Sequence, residues 1–364
     1  MSAAPGEELE LSIESLAAGG DGVARADGLA VFVPRSAPGD RVRARVTDSR
    51  PRFARAEIVE VLAPGPARRE PPCPYYGRCG GCDWLHLDEA EQLRARAAIA
   101  REALARIGGI AALPELELVA SPRALGYRAR ARVAYEPGRV GFRSRGSREV
   151  VDVERCAVLE PAAQSALDAL RRAPPRGSGE RELRGRDALE VGGRRLSLPP
   201  GAFFQANAAL WERWLATVLE LCGSGARAVE LYCGIGFYTA GLVERFARVV
   251  ALEGEAVAAA AAARNAPGAE IVSEAAERWA PRELAKRAPE LVLLNPPRPG
   301  CHRKVSDALA ACGAKRVVYV SCEAATLARD LARLGARFRV ARLVLLDALP
   351  QTHHVELVAR LEAD

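Results

Sequence analysis

Three cysteines fall within ten residues, in Cys73-x5-Cys79-Gly80-Gly81-Cys82, and a fourth follows in Glu154-Arg155-Cys156-Ala157. Four thiolates suit zinc or an iron–sulfur cluster. Zinc sites usually pair two short Cys-x2–4-Cys units, so three close cysteines with one distant partner lean towards iron–sulfur. Gly80 and Gly81 let the backbone fold tightly around the sulfurs. A second set of reactive side chains lies in the last third of the chain. Ser321-Cys322-Glu323 offers a nucleophile, and Leu349-Pro350-Gln351-Thr352-His353-His354-Val355-Glu356 offers two histidines and a carboxylate base. Asn295-Pro296-Pro297-Arg298-Pro299-Gly300 adds an amide and a cation.

Each of these segments needs a scaffold. Apolar runs at Arg227–Leu231, Val249–Leu252, Leu291–Leu294 and Arg316–Val320 alternate with helical stretches. Such alternation signals a parallel sheet flanked by helices, with ligands at the carboxyl ends of the strands. The first run leads into Tyr232-Cys233-Gly234-Ile235-Gly236-Phe237, a Gly-rich turn before a helix start. The third glycine of a dinucleotide fingerprint is missing, which disfavours NAD. Glu253, 23 residues beyond Glu230, can accept from ribose hydroxyls, and the combination fits S-adenosylmethionine. Nucleophile, base and cofactor turn are therefore expected on one sheet edge.

Two further regions precede this one. Residues 8–62 alternate apolar and polar residues in short runs separated by Gly19-Gly20-Asp21-Gly22, Asp27-Gly28 and Pro38-Gly39-Asp40. This pattern predicts a small antiparallel barrel, a shape that often binds oligonucleotides. Pro64-Gly65-Pro66 and Pro71-Pro72 mark a boundary, and residues 66–200 form a middle region with a helix near 88–107. There Arg128, Arg130 and Arg132 alternate with Ala129, Ala131 and Val133, which on a strand puts three guanidiniums on one face, suited to phosphates.

Composition narrows the class. The 364 residues are 49% hydrophobic, enough for an ordinary core, and no run of about 18 uncharged apolar residues appears. The N-terminus lacks a basic start followed by an apolar stretch, so a cytoplasmic protein with unpaired cysteines is expected. The net charge of +6 is mostly arginine spread along the chain, which favours a polyanionic partner only mildly.

Taken together, CPYYGRCGGC (73–82), SPRALGYRARARV (121–133), GFRSRGSREVVDVERC (141–156), FFQAN (203–207), ELYCGIGF (230–237), NPPRPG (295–300), VYVSCEAATLARDL (318–331) and LPQTHHVE (349–356) resemble the RNA uracil-5-methyltransferase family. The similarity is to its iron–sulfur branch of 23S rRNA methyltransferases with an N-terminal TRAM domain. The resemblance implies an α/β fold: a Rossmann-like S-adenosylmethionine methyltransferase domain at 201–364, a TRAM-like, OB-like RNA-binding barrel at 1–65, and between them, at 66–200, a central α+β domain carrying the cluster.

It further implies that Cys73, Cys79, Cys82 and Cys156 hold a 4Fe–4S cluster. Gln205, Tyr232, Gly234, Gly236, Glu253 and Asn295 fall at cofactor contacts, Cys322 at the nucleophile and Glu356 at the general base. Arg128, Arg130, Arg132, Asn295 and Arg298 are expected at the RNA. Large-subunit rRNA is the implied substrate, with tRNA, or a catalytically weakened RNA-binding protein of the same fold, as the alternative. A monomer without an obligate protein partner is expected. Four stretches depart from the family pattern: Asn295 and Glu230 each stand for Asp, Ala348-Leu349 for Met-Phe, and Ser273-Glu274-Ala275-Ala276 for Gly-Asp-Ala.

Overall fold

The computed structural model describes residues 4–110 and 112–363, so Met1–Ala3 of the N-terminal stretch lie outside it. The barrel strands are β1 (Glu8–Ser12), β2 (Ser15–Leu16), β3 (Gly22–Ala26), β4 (Leu29–Val33), β5 (Arg41–Arg50) and β6 (Phe53–Ala63). Alternation in β5 turns Val42, Ala44 and Val46 inward and Arg41, Arg43 and Arg45 outward. Those arginines make exposed ion pairs with Glu10, Glu60 and Glu8. Bulges between β5 and β6 twist the long pair. The barrel departs from the antiparallel expectation at one seam, where β4 and β6 run parallel.

The middle region supplies α1 (Glu89–Arg106), β7 (Leu116–Val119), β8 (Arg130–Glu136), β9 (Arg139–Arg143), β10 (Val150–Asp152), α2 (Pro161–Arg172) and β11 (Gly179–Arg184). Asp88 caps α1 by accepting from the Glu91 N–H. Strands β10-β9-β8-β11 form an antiparallel sheet whose inner face packs on α2. The hairpin β12 (Ala188–Val191) and β13 (Arg194–Ser197) leads into the last region.

That region runs α3 (Trp211–Cys222), β14 (Gly225–Leu231), α4 (Thr239–Leu242), β15 (Phe246–Glu253), α5 (Ala256–Asn265), β16 (Glu270–Ser273), α6 (Ala276–Glu283), β17 (Leu291–Leu294), α7 (Arg303–Ala311), β18 (Arg316–Ser321), α8 (Ala324–Leu334), β19 (Phe338–Leu346) and β20 (Leu357–Ala363). Strand order is β16-β15-β14-β17-β18-β20-β19-β7. All four residues of β17 are buried, as a parallel strand covered on both faces requires. The sheet is parallel from β16 to β18, and again at its far edge where β7 pairs with β19. Strand β20 runs antiparallel between β18 and β19, and β7 of the middle region extends the edge. Helix α1 also joins this core, with Ala100 and Leu104 among the residues packed with Leu327, Ala328 and Leu331 of α8. No helix among the described residues is long and apolar enough to cross a membrane.

Candidate active site

The sheet register brings the two chemical groups together. Val320 pairs with Val358 and Ser321 with Leu357, the last pair of the ladder, so Cys322 and Glu356 are the next residues at that end, near enough for the Glu356 charge to act on the Cys322 thiol. Cys322 is half-buried, whereas Glu356 is buried. Burial, and then the Glu356 carboxylate, push the Cys322 thiol up to about 11, while Arg298 pulls it down. Burial pushes Glu356 up to about 8, again opposed by Arg298. Arg298 Nη2 lies 3.5 Å from His354 Nε2. His354 is pushed down to about 4 by burial and the neighbouring cations, which leaves a neutral ring nitrogen to accept from the guanidinium.

Glu356 ends an irregular segment, residues 347–356, that the middle region holds in place. Arg96 of α1 reaches Asp347 Oδ1 and the Thr352 carbonyl, each at 2.7 Å. The Tyr127 hydroxyl donates to the Pro350 carbonyl at 2.8 Å. Gln92 donates to Gln351 Oε1 and accepts from the Gln351 N–H. Gln351 has φ +69°, a left-handed conformation costing a non-glycine residue about 1–3 kcal/mol, and these bonds offset that strain. Sequence reasoning missed these anchors. The signal was Gln92 and Arg96, polar residues one helical turn apart on the face of α1 that also buries Ala95, Ile99 and Ala100.

The cofactor turn lies beside this pair. Tyr232 (φ +63°), Gly234 (φ +57°) and Gly236 (φ +84°) fold the chain back from β14. A Cβ on Gly234 would enter open space, a cradle for a ligand, whereas one on Gly236 would meet Ala262 of α5 at 3.2 Å. Glu253 accepts from the Gly234 and Glu255 N–H groups at 2.9 Å, and each oxygen keeps a second lone pair for a ribose hydroxyl. Gln205 is buried behind the turn, and its carbonyl accepts from the Trp211 indole at 2.8 Å. Asn295, half-buried, follows β17 level with Tyr232, its N–H on the Leu231 carbonyl. These groups suit an adenosyl amino-acid cofactor: open backbone, a carboxylate acceptor and an amide on one edge.

Glu230 lies beneath the turn, fully buried, taking one hydrogen bond from Thr239 with Oε1 unpartnered. Burial raises it from 4.5 to about 8, Thr239 opposing and Glu253 adding to the rise. A raised carboxyl contributes stability that is fully present below 4.5 and lost as pH rises through about 8. Glu230→Gln removes that loss, so its melting temperature should gain on the parent progressively from about pH 5 to about pH 9. A constant difference across the range contradicts the assignment.

The alternation of the arginine row holds, with Ala129, Ala131 and Val133 buried and Arg128, Arg130 and Arg132 on the other face, but the three side chains differ in their surroundings. Strand β8 begins at Arg130, and Arg128 sits before it in isolated bridges to Asn207 and Leu159. Arg130 is drawn under the Phe203 ring, 4.7 Å from its centroid, and pairs with Glu182 at 2.8 Å. Arg132 alone of the three is largely exposed, 3.7 Å from Glu180.

All four cysteines singled out for a cluster line one cavity of about 270 Å³, with Tyr75, Tyr76 and Arg128. Gly80 lets the cysteine loop dock, because a Cβ there would stand 3.0 Å from the Arg143 carbonyl and the Arg145 nitrogen. Among the described residues no group of three or more His, Cys, Asp or Glu side chains is arranged to hold a metal ion.

A profile described as TRAM domain matches residues 3–59, and one described as tRNA (Uracil-5-)-methyltransferase matches residues 184–286 and 273–363. An uncharacterized RNA methyltransferase of Bdellovibrio bacteriovorus is 32% identical over 378 residues, covering 99% of this chain and 96% of its own. A 23S rRNA (uracil(1939)-C(5))-methyltransferase, RlmD, of Chromohalobacter salexigens is 34% identical over 97% of this chain and 89% of its own. The solved structure of Pyrococcus abyssi tRNA (uracil-54, C5)-methyltransferase with S-adenosyl-L-homocysteine shares the fold at a TM-score of 0.76 and 23% identity, over 97% of this chain and 100% of that one. With a thiol and a buried carboxylate close together where β18 ends and β20 begins, and a Gly-rich turn after β14, the chain belongs to the RNA uracil-5-methyltransferase family and is an S-adenosylmethionine-dependent enzyme of that class.

Proposed function

We propose that the chain methylates carbon 5 of a uridine in 23S rRNA, with Cys322 as nucleophile and Glu356 as general base. The observation that carries this reading is the register that brings Cys322 and the buried Glu356 to the same end of the β18–β20 ladder. Carbon 5 of uracil is a weak nucleophile. The Cys322 thiolate adds to carbon 6, which makes carbon 5 an enolate carbon able to take a methyl group. S-adenosylmethionine supplies that methyl as a sulfonium. Glu356 then takes the carbon 5 proton, the double bond re-forms and the carbon 6–sulfur bond breaks, freeing Cys322.

Asn295 accepts from the uracil imide N–H and donates to a ring carbonyl, a two-way match that a carboxylate lacks. The target base must leave its stack, a cost of a few kcal/mol that phosphate contacts from Arg132 and Arg298 help offset. Gln205, Tyr232, Gly234, Gly236 and Glu253 line the cofactor side. Cys73, Cys79, Cys82 and Cys156 would hold a 4Fe–4S cluster, whose iron would balance the thiolates of Cys79, Cys82 and Cys156 that burial otherwise disfavours. What supports a shared group is that all four cysteines line one cavity.

Relatives named as 23S rRNA enzymes at 32–34% identity favour rRNA. Unmodified 23S rRNA and unmodified tRNA, incubated separately with enzyme and S-adenosylmethionine and digested to nucleosides, discriminate the substrates. 5-Methyluridine is expected in the 23S digest; its appearance in tRNA alone overturns the rRNA assignment.

A further inference from the structure

The Asp83–His353 pair joins the cysteine loop to the segment carrying Glu356, and no step of the reaction described above uses it. His353 Nδ1 lies 2.7 Å from Asp83 Oδ2. Asp83 is itself fixed from behind. The Tyr76 hydroxyl donates to its carbonyl at 2.6 Å, and the N–H groups of Asp83 and Trp84 converge on the Gln351 carbonyl at 2.9 and 3.0 Å. The barrel closes the remaining side. Gly20 (φ +88°) seats against the pair so closely that a Cβ there would stand 3.1 Å from His353 Nδ1, and its carbonyl accepts from the Trp84 indole at 2.9 Å. Three regions of the chain therefore meet on one histidine. The His353 ring packs 4.4 Å from that of His354, and Glu356 follows three residues after His353.

Earlier anchors in 347–356 act on Asp347, Pro350, Gln351 and Thr352. His353 is the anchored side chain nearest the base that reaches outside the methyltransferase sheet. We propose that His353, held by Asp83, is a positioning residue for proton removal: it sets the path of residues 354–356, and so aims the Glu356 carboxylate at the carbon 5 proton. The proposal rests on Glu356 acting as the base. Thiol addition and methyl transfer need Cys322 but not Glu356, so losing the anchor should slow only the last step.

RNA carrying 5-fluorouridine separates these steps. Fluorine cannot leave as a cation, so every variant stalls after methyl transfer, and adduct formation reports the early steps alone. Two substitutions serve. His353→Phe keeps a ring against His354 but loses the donor; His353→Asn keeps an N–H near the place of Nδ1–H. His353→Phe should form the 5-fluorouridine adduct within about twofold of the parent rate. On ordinary uridine RNA its kcat should fall by about 10- to 100-fold, the scale of a displaced catalytic group, with KM for RNA and S-adenosylmethionine little changed. The covalent methylated complex should then accumulate, and His353→Asn should restore most of the turnover. The proposal is overturned if His353→Phe turns over like the parent, or if adduct formation and turnover fall together, which marks a purely structural role. Failure of the parent itself to form the adduct overturns the assignment of Cys322, and the proposal with it.

Discussion

Cys322→Ala is expected to lower methyl transfer to uridine RNA by at least about 10⁴-fold, the scale seen when a covalent nucleophile is removed. The loss should appear in kcat, because the cofactor turn at Tyr232–Gly236 and the acceptor Glu253 lie on other strands and keep their geometry. Binding of S-adenosylhomocysteine, measured by calorimetry, should stay within about twofold of the parent. The thiol rests protonated: burial and the Glu356 carboxylate hold it near 11, against the pull of Arg298. Residual activity close to the parent level would show that carbon 5 is activated without a sulfur adduct.

Glu356→Gln carries the second large effect, and it differs in kind. Turnover should fall by about 10²- to 10⁴-fold, the usual contribution of a general base, while Cys322 still adds and carbon 5 still takes its methyl group. The variant should therefore trap ordinary uridine RNA as a covalent complex resistant to denaturing gels. The pH profile supplies an independent check. A carboxyl pushed up to about 8 by burial is largely protonated at neutral pH and becomes a base as pH rises through that value. Parent turnover should climb between about pH 7 and about pH 9, and the residual turnover of Glu356→Gln should lack this limb. A flat parent profile, or a variant that traps nothing, contradicts the role given to Glu356.

The strand ends were legible because buried parallel strands read as short apolar runs. Leu291–Leu294 stops at Asn295-Pro296, and Val317–Val320 stops at Ser321-Cys322. The adjacency of Cys322 and Glu356 was not legible from pattern. It depends on β20 inserting antiparallel between β18 and β19, a pairing set by register across a long segment of chain. The partners of the arginine row were illegible for a similar reason. Alternation places side chains on a face, but the partners that occupy Arg130, namely Phe203 and Glu182, arrive from distant segments. The tight spacing of Cys73, Cys79 and Cys82 foretold a shared site, whereas Cys156 reaches the same cavity only through tertiary packing. Likewise, the attachment of α1 and β7 to the methyltransferase core left a single trace in the sequence, the polar pair Gln92 and Arg96 on a buried helical face.

Intact-mass analysis of the parent enzyme and Cys322→Ala, each incubated with S-adenosylmethionine and RNA containing 5-fluorouridine, tests the central claim most directly. The parent should gain the mass of one RNA plus one methyl group, with the crosslink mapping to the peptide that holds Cys322, and the alanine variant should gain nothing. A parent that binds both ligands yet forms no adduct, or an adduct that persists in Cys322→Ala, contradicts the account.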